Sequence, residues 1–253
     1  MPRPPPLTPN PPLAARDSQP HTHAGENNVN VGGPGYYACA LPALIASWRA
    51  AFAQPALFFG IMQLAAYVGG NNSLIAEIRD VQLNTTLSTL NTAIASATDL
   101  GDLYSPQGNI HPRTKVVNSR RMARAMAGVL YGVAGAQRGP TYASAAAEAA
   151  GCVRVAFEPA SVAGGLVLAP PANIPDDAGR LPSYNIAWPA VLGSDGAWRN
   201  ATWALGAGNT FVLCAPMAAG VTPKATQYAF GNWPVNTLFN DEGLPAMPWR
   251  RWL

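Results

Sequence analysis

Residues 57–64, Leu57-Phe58-Phe59-Gly60-Ile61-Met62-Gln63-Leu64, form a short and almost unbroken apolar run. A strand with one wet face alternates, so a run that does not alternate fits a strand buried on both faces of a parallel sheet. Residues 74–90 then follow a helix-like pattern, with Asn84-Thr85-Thr86 expected to break it. Residues 92–98 read as a second short strand that ends at Asp99. Upstream, residues 36–52 set Leu41, Leu44, Ile45, Trp48 and Phe52 at helical spacing behind Gly35. Pro42 is expected near the first turn of that helix, where its missing N–H costs little. Residues 115–131 read as an amphipathic helix with Val116, Met122, Ala123, Met126, Val129 and Leu130 inside and Arg120, Arg121 and Arg124 on a solvated face. Strand and helix in alternation argue for an α/β layer.

The pattern changes after Gly139-Pro140. Cys152-Val153-Arg154-Val155-Ala156-Phe157, Gly165-Leu166-Val167-Leu168 and Thr210-Phe211-Val212-Leu213-Cys214 are short β-type runs between turn clusters such as Pro170-Pro171, Asp176-Asp177 and Gly193-Ser194-Asp195-Gly196. That spacing predicts an antiparallel β-sandwich. The small-residue run at 143–150 reads as a short helix just before it. Six tryptophans, at 188, 198, 203, 233, 249 and 252, either fill this β core or present a sugar-stacking surface, with the core role favoured. The expected organisation is a disordered Pro-rich leader at 1–24, a partial α/β domain at 25–139 and a β-sandwich domain at 140–253.

Composition sets the bounds. Apolar residues make up 49% and charged ones 11% of the 253 residues, a globular rather than a disordered balance. The net charge of +3 is too small and scattered to argue for nucleic acid or a membrane surface. No apolar run is long enough to span a bilayer, and the N-terminus lacks the apolar core of a secretory signal. Cys39, Cys152 and Cys214 read as buried free thiols, with a Cys152–Cys214 bridge as the minority alternative. No Cys/His cluster implies a metal, and nothing implies a cofactor. Sequons at Asn71, Asn84 and Asn200 permit a secreted route without requiring one.

The stretch richest in chemistry is Asp99-Leu100-Gly101-Asp102, then Ser105-Pro106, then Gly108-Asn109-Ile110-His111-Pro112-Arg113. His111 is the one histidine outside the leader, and it sits on a Gly/Pro-rich loop after the carboxyl end of a strand, where open α/β sheets bind ligands. It is a candidate general base, against the plain alternative of a surface histidine. The run resembles the C-terminal active-site block of the sialate O-acetylesterase family of the SGNH-hydrolase superfamily. Gly25-Glu26-Asn27-Asn28 is similar to the block that carries the oxyanion-hole asparagine there. Leu41-Pro42-Ala43-Leu44-Ile45, Phe58-Phe59-Gly60, Glu77-Ile78-Arg79, Trp233-Pro234 and Gly243-Leu244-Pro245-Ala246-Met247-Pro248-Trp249 continue the likeness in family order to the C-terminus.

The resemblance implies the back part of a three-layer SGNH-type α/β domain and a carbohydrate esterase acting on O-acetyl esters of sialic acid or related sugars. It also implies a secreted or lysosomal setting. His111 would move the proton, and Asn27 would donate to the oxyanion with Gly25 giving close backbone approach. An Asx turn is the structural alternative for Asn27. Asn109 or Asp102 would orient the imidazole, while Asp99 and Asp102 also suit turn capping. The family's Gly-Asp-Ser elbow is absent from the sequence, and Ser105 lacks the flanking glycines of an elbow. The expected activity is therefore impaired, and a non-catalytic remnant serving as a glycan-binding or structural protein is the alternative.

Overall fold

A computed structural model describes residues 25–69, 73–171 and 183–253. The leader, the Asn71 sequon and the Asp176-Asp177 turn lie outside the described residues. In chain order the elements are α1 (Gly33–Ala51), β1 (Phe59–Met62), α2 (Leu74–Ser88), β2 (Thr92–Ala95), α3 (Lys115–Tyr131), β3 (Tyr142–Ala147), β4 (Cys152–Phe157), the single turn α4 (Pro159–Val162) and β5 (Leu166–Leu168). Then come β6 (Ile186–Ala187), β7 (Ala190–Gly193), β8 (Trp198–Asn200), β9 (Thr202–Gly206), β10 (Thr210–Cys214), β11 (Pro223–Tyr228), β12 (Trp233–Pro234), β13 (Leu238–Asn240) and β14 (Trp249–Trp252).

β1 and β2 pair in parallel, Phe59 opposite Thr92 and Met62 opposite Ala95. β2 is buried along its whole length, the Thr92 hydroxyl being satisfied by the carbonyls of Thr86 and Thr89, whereas in β1 only Ile61 is buried and the expected burial of that strand on both faces does not hold. Tyr37, Leu41 and Ile45 of α1, spaced four apart, share a core with Ile61, Ile75, Ile78, Leu83 and Ile94. α1 starts at Gly33, so Pro42 falls inside the helix rather than in its first turn. α2 runs through Asn84-Thr85-Thr86 unbroken. The Thr86 and Ser88 hydroxyls donate to the carbonyls of Gln82 and Asn84 four residues back (2.9 Å each) and so occupy the groups that compete with a helix.

α3 keeps its expected bounds but not its expected face. Its buried residues are Ala125 and Gly128, whereas Val116 is 63% and Leu130 42% exposed. Small residues allow close approach: a Cβ on Gly128 would lie 2.6 Å from the Gln137 side chain. Arg121 and Arg124, expected on the solvated face, instead reach to Asp99 and Glu242.

The C-terminal part holds two four-stranded antiparallel sheets, β3-β4-β10-β9 and β14-β11-β7-β8. One core joins them, in which Val153, Val155, Phe211 and Leu213 of the first sheet meet Val191, Tyr228 and Trp249 of the second. Tyr228 and Trp249 stack at 4.8 Å. The Tyr228 hydroxyl accepts from the amides of Thr237 and Leu238 at 2.9 and 2.8 Å, and burial pushes its pKa up to about 12. The run expected to be a short helix at 143–150 is mostly strand β3, since pairing with β4 overrides the helical preference of alanine. Cys152 and Cys214 are not free thiols: they face each other across β4 and β10 and form a disulfide. Cys39 is free but exposed rather than buried. Among the described residues no helix is long and apolar enough to cross a membrane.

Candidate functional site

The N-terminal wall of the site is set by one glycine. Gly25 has φ +125° and packs against α2, so that a Cβ there would lie 3.0 Å from Ile78 and 3.1 Å from Leu64. The chain then turns back in a single 3-10 turn, Asn27–Val29, with the Asn28 amide donating to the Gly25 carbonyl (3.1 Å). The N-cap of this turn, Glu26, makes no side-chain cap bond, and Asn27 is exposed.

The second wall is the loop after β2, which is cross-tied. The amides of Ser105, Gly108 and His111 donate to the carbonyls of Asp102, Ser105 and Gly108 at 3.3, 3.1 and 2.9 Å. Ser105 Oγ donates to the His111 carbonyl (2.6 Å), which makes this serine a loop tie. Asp102 receives Arg113 in a fork, Nε to Oδ2 at 2.6 Å and Nη2 to Oδ1 at 3.0 Å, with the Arg113 amide also on Oδ2 at 3.1 Å. The Arg113 guanidinium holds the Asp102 carboxyl down at about 2. Asn109 Oδ1 accepts from the Val68 amide (2.8 Å) and thus fastens the loop after β1 to the loop after β2. Asp99, lower in the same loop, takes Arg121 in a second fork at 2.7 Å on each oxygen.

These walls enclose a cleft of about 570 Å³, lined among others by Glu26, Asn27, Tyr67, His111, Lys115 and Asn232. Asn27 and His111, separated by more than eighty residues in sequence, thus border one cavity, which opens beyond the ends of both parallel strands. Asp102 and Asn109 are engaged elsewhere, on Arg113 and Val68. No residue lining the cleft among those described is Ser, Thr or Cys. Among the described residues no group of three or more His, Cys, Asp or Glu converges to hold a metal.

The sequence reading missed Tyr67 and Asn232. Asn232 comes from the C-terminal part, just before β12. Its Nδ2 donates to the Gly69 carbonyl and to Asn185 Oδ1, while its own carbonyl accepts from the Tyr67 amide at 3.0 Å. Beneath it lies Arg79 of α2, wholly buried. Its guanidinium donates to the carbonyls of Leu64 (2.8 Å), Ala65 (2.5 Å), Gly231 (2.5 Å) and Asn232 (3.2 Å). Burial pushes its pKa down to about 9, partly countered by the charge of Glu26, so it stays protonated at neutral pH. An arginine inside an apolar helix pattern and an asparagine after a glycine carry no periodic signal that would have marked them.

No protein-family profile matches the chain. A sialate O-acetylesterase from Rattus norvegicus is 39% identical over 124 residues, covering 44% of this chain and 23% of the rat protein. The crystal structure of a carbohydrate acetylesterase from Xanthomonas citri superposes with a TM-score of 0.69 at 26% identity, covering 90% of this chain and 48% of that one. The chain therefore spans less than half the length of either relative.

Proposed function

We propose that this chain, which is sialate O-acetylesterase-like, is the back part of an SGNH-type α/β domain with a β-sandwich on it, and that its cleft binds the acetyl ester of an O-acetylated sugar. The observation that carries this reading is the meeting of Asn27 and His111 on one cleft. In it the Asn27 amide donates to the oxyanion, and Gly25, which only an unsubstituted Cα allows at that spot, sets the turn that presents it. His111 moves the proton, and the cross-tied loop holds it in place. Asn109 and Asp102 support His111 by fastening the loop that carries it. The Cys152–Cys214 bridge suits an oxidising compartment.

Full ester hydrolysis of this type also needs a nucleophile. The described lining supplies none, so the chain alone should bind better than it turns over. The same observation favours a second reading, a non-catalytic glycan-binding protein. The test is acetate release by residues 1–253 from an O-acetylated sialic acid and from 4-nitrophenyl acetate. Little turnover is expected, together with ester binding that weakens in Asn27→Ala and His111→Ala. Turnover abolished by His111→Ala but kept in Ser105→Ala would mean that another nucleophile serves the cleft. Turnover lost in both would turn Ser105 from a loop tie into the catalyst. A folded protein that binds sialylated glycans without turnover or ester binding would favour the second reading.

A further inference from the structure

Two sequons fall on described residues, and the fold treats them differently. Asn84 lies within α2, and its Nδ2 donates to Asp80 Oδ2 at 3.2 Å, on a carboxylate that also takes Arg251. Asn200-Ala201-Thr202 forms the corner between β8 and β9. Ala201 anchors it: the residue is 6% exposed, and its amide donates to the Pro189 carbonyl at 2.8 Å. Asn200 and Thr202 on either side are exposed. Trp198 belongs to the same strand as Asn200, and strand alternation sets the two side chains on one face about 7 Å apart. Trp198 is 38% exposed, although the Arg250 guanidinium lies over its ring at 5.4 Å. It takes no part in the core between the two sheets, so packing there gives no reason for an indole. The Cys152–Cys214 bridge lies beside the same corner, since Thr202 is the register partner of Cys214. Disulfides and acceptor sequons belong to one kind of compartment, the oxidising one of secreted proteins.

We infer that Asn200 carries an N-linked glycan and that the first sugar of this glycan rests on the Trp198 ring. The donor is a lipid-diphosphate-linked oligosaccharide, supplied with its transferase by the compartment. Asn200 Nδ2 attacks C1 of the first N-acetylglucosamine. The C1–N bond forms, the C1–O bond breaks, one amide proton is released, and the lipid diphosphate leaves. In the folded chain Thr202 Oγ1 donates to the Cys214 carbonyl at 3.2 Å, so the transfer precedes the pairing of β9 with β10. A pyranose presents an apolar C–H face, which an exposed indole covers as it would any apolar surface. That contact gives Trp198 a role that the core does not.

The test expresses the full chain behind a cleavable signal peptide in human cells held to high-mannose glycans. Peptides from cells and medium are treated with peptide-N-glycosidase in ¹⁸O water and read by mass spectrometry. Asn200 should appear as labelled aspartate in most molecules, and Thr202→Ala should abolish the label there. An unlabelled Asn200 would overturn the proposal, whatever the state of Asn84. The stacking is read separately, on folded protein. Trimming with endoglycosidase H leaves one N-acetylglucosamine, and this form should melt about 2–4 °C above Asn200→Gln, the shift of one aromatic contact in a chain of this size. In Trp198→Ala the same comparison should give no difference, and the cycle cancels the loss of the Arg250 contact. No difference with Trp198 present, or an equal one without it, would refute the contact with the indole.

Discussion

Replacing Arg79 with methionine is the perturbation whose cost the structure defines best. The guanidinium joins two carbonyls after β1, Leu64 and Ala65, to two before β12, Gly231 and Asn232. Methionine fills much of the space but donates nothing. The Asn232 carbonyl keeps the Tyr67 amide, which leaves three carbonyls whose described donor is lost. At about 1–3 kcal/mol for each buried acceptor left unmet, the loss is about 3–9 kcal/mol. Relief from burying a cation without a carboxylate beside it offsets several kcal/mol of that. We predict a net loss of about 3 kcal/mol, a large share of the 5–15 kcal/mol that holds a domain together. Arg79→Lys should lose about 2 kcal/mol, since an ammonium keeps the charge but not the fork. Urea unfolding followed by tryptophan fluorescence measures both. A loss below about 1 kcal/mol in Arg79→Met with an unchanged denaturant slope would refute the reasoning, because the three carbonyls would then find other donors.

Gly25→Ala should cost about 1–3 kcal/mol, since its φ of +125° disfavours any side chain and the new Cβ meets Ile78 at 3.0 Å. The same variant should displace the Asn27 turn, visible as a changed Asn27 amide shift. The Asp102–Arg113 fork makes the loop acid-resistant. A carboxyl with a lower pKa folded than unfolded stabilises the fold above its unfolded value, about 3.9, and loses this as pH falls through about 2. Signals of residues 102–113 should therefore hold at pH 4 and give way toward pH 2, and Asp102→Asn should remove that dependence. Breaking the Cys152–Cys214 bridge, which spans 62 residues, should cost up to about 4 kcal/mol by the loop-entropy relation, read as a lower thermal midpoint in reductant or in the double alanine variant. Residues 1–139 expressed alone should fail to give a cooperative unfolding transition, since Met247 completes the core around Ile78 and Ile94, and Arg251 pairs with Asp80 at 2.8 Å.

The parallel pair was legible as two short strand-like runs, 57–64 and 92–98, but burial on both faces holds only for β2: in β1 Gly60 and Met62 are exposed and Ile61 alone is buried. β4 and β10 were legible for a related reason, their β-branched and aromatic content between turns. β3 was not, since Ala-Ser-Ala-Ala-Ala has no strand signal of its own and takes its form from β4. The face of α3 was misjudged because the pattern was read from large apolar side chains. Against the rest of the fold the helix presents Ala125 and Gly128, and its arginines satisfy Asp99 and Glu242. The disulfide was equally hidden, because the pairing register that sets Cys152 opposite Cys214 is a tertiary fact.

The site divides the same way. Asn27 and His111 line one cleft; His111 stood out as a histidine on a Gly/Pro-rich loop, and Asn27 was marked only by the family resemblance of Gly25-Glu26-Asn27-Asn28. What Asp102 and Asn109 do depends on residues brought near only by folding: Arg113 takes one and the Val68 amide takes the other. Both bonds point to one physical requirement. The proposed role of His111 as a base requires a held loop, and Asp102, Ser105 and Asn109 each commit side-chain bonds to holding it. Arg79 and Asn232 extend the same logic to the opposite wall, where the chain after β1 would otherwise be free to move against the segment before β12. The cleft is thus shaped by bonds between its supporting segments, made by Asp102, Ser105, Asn109 and Arg79 as well as by Asn232 in its wall, and such bonds leave no local motif.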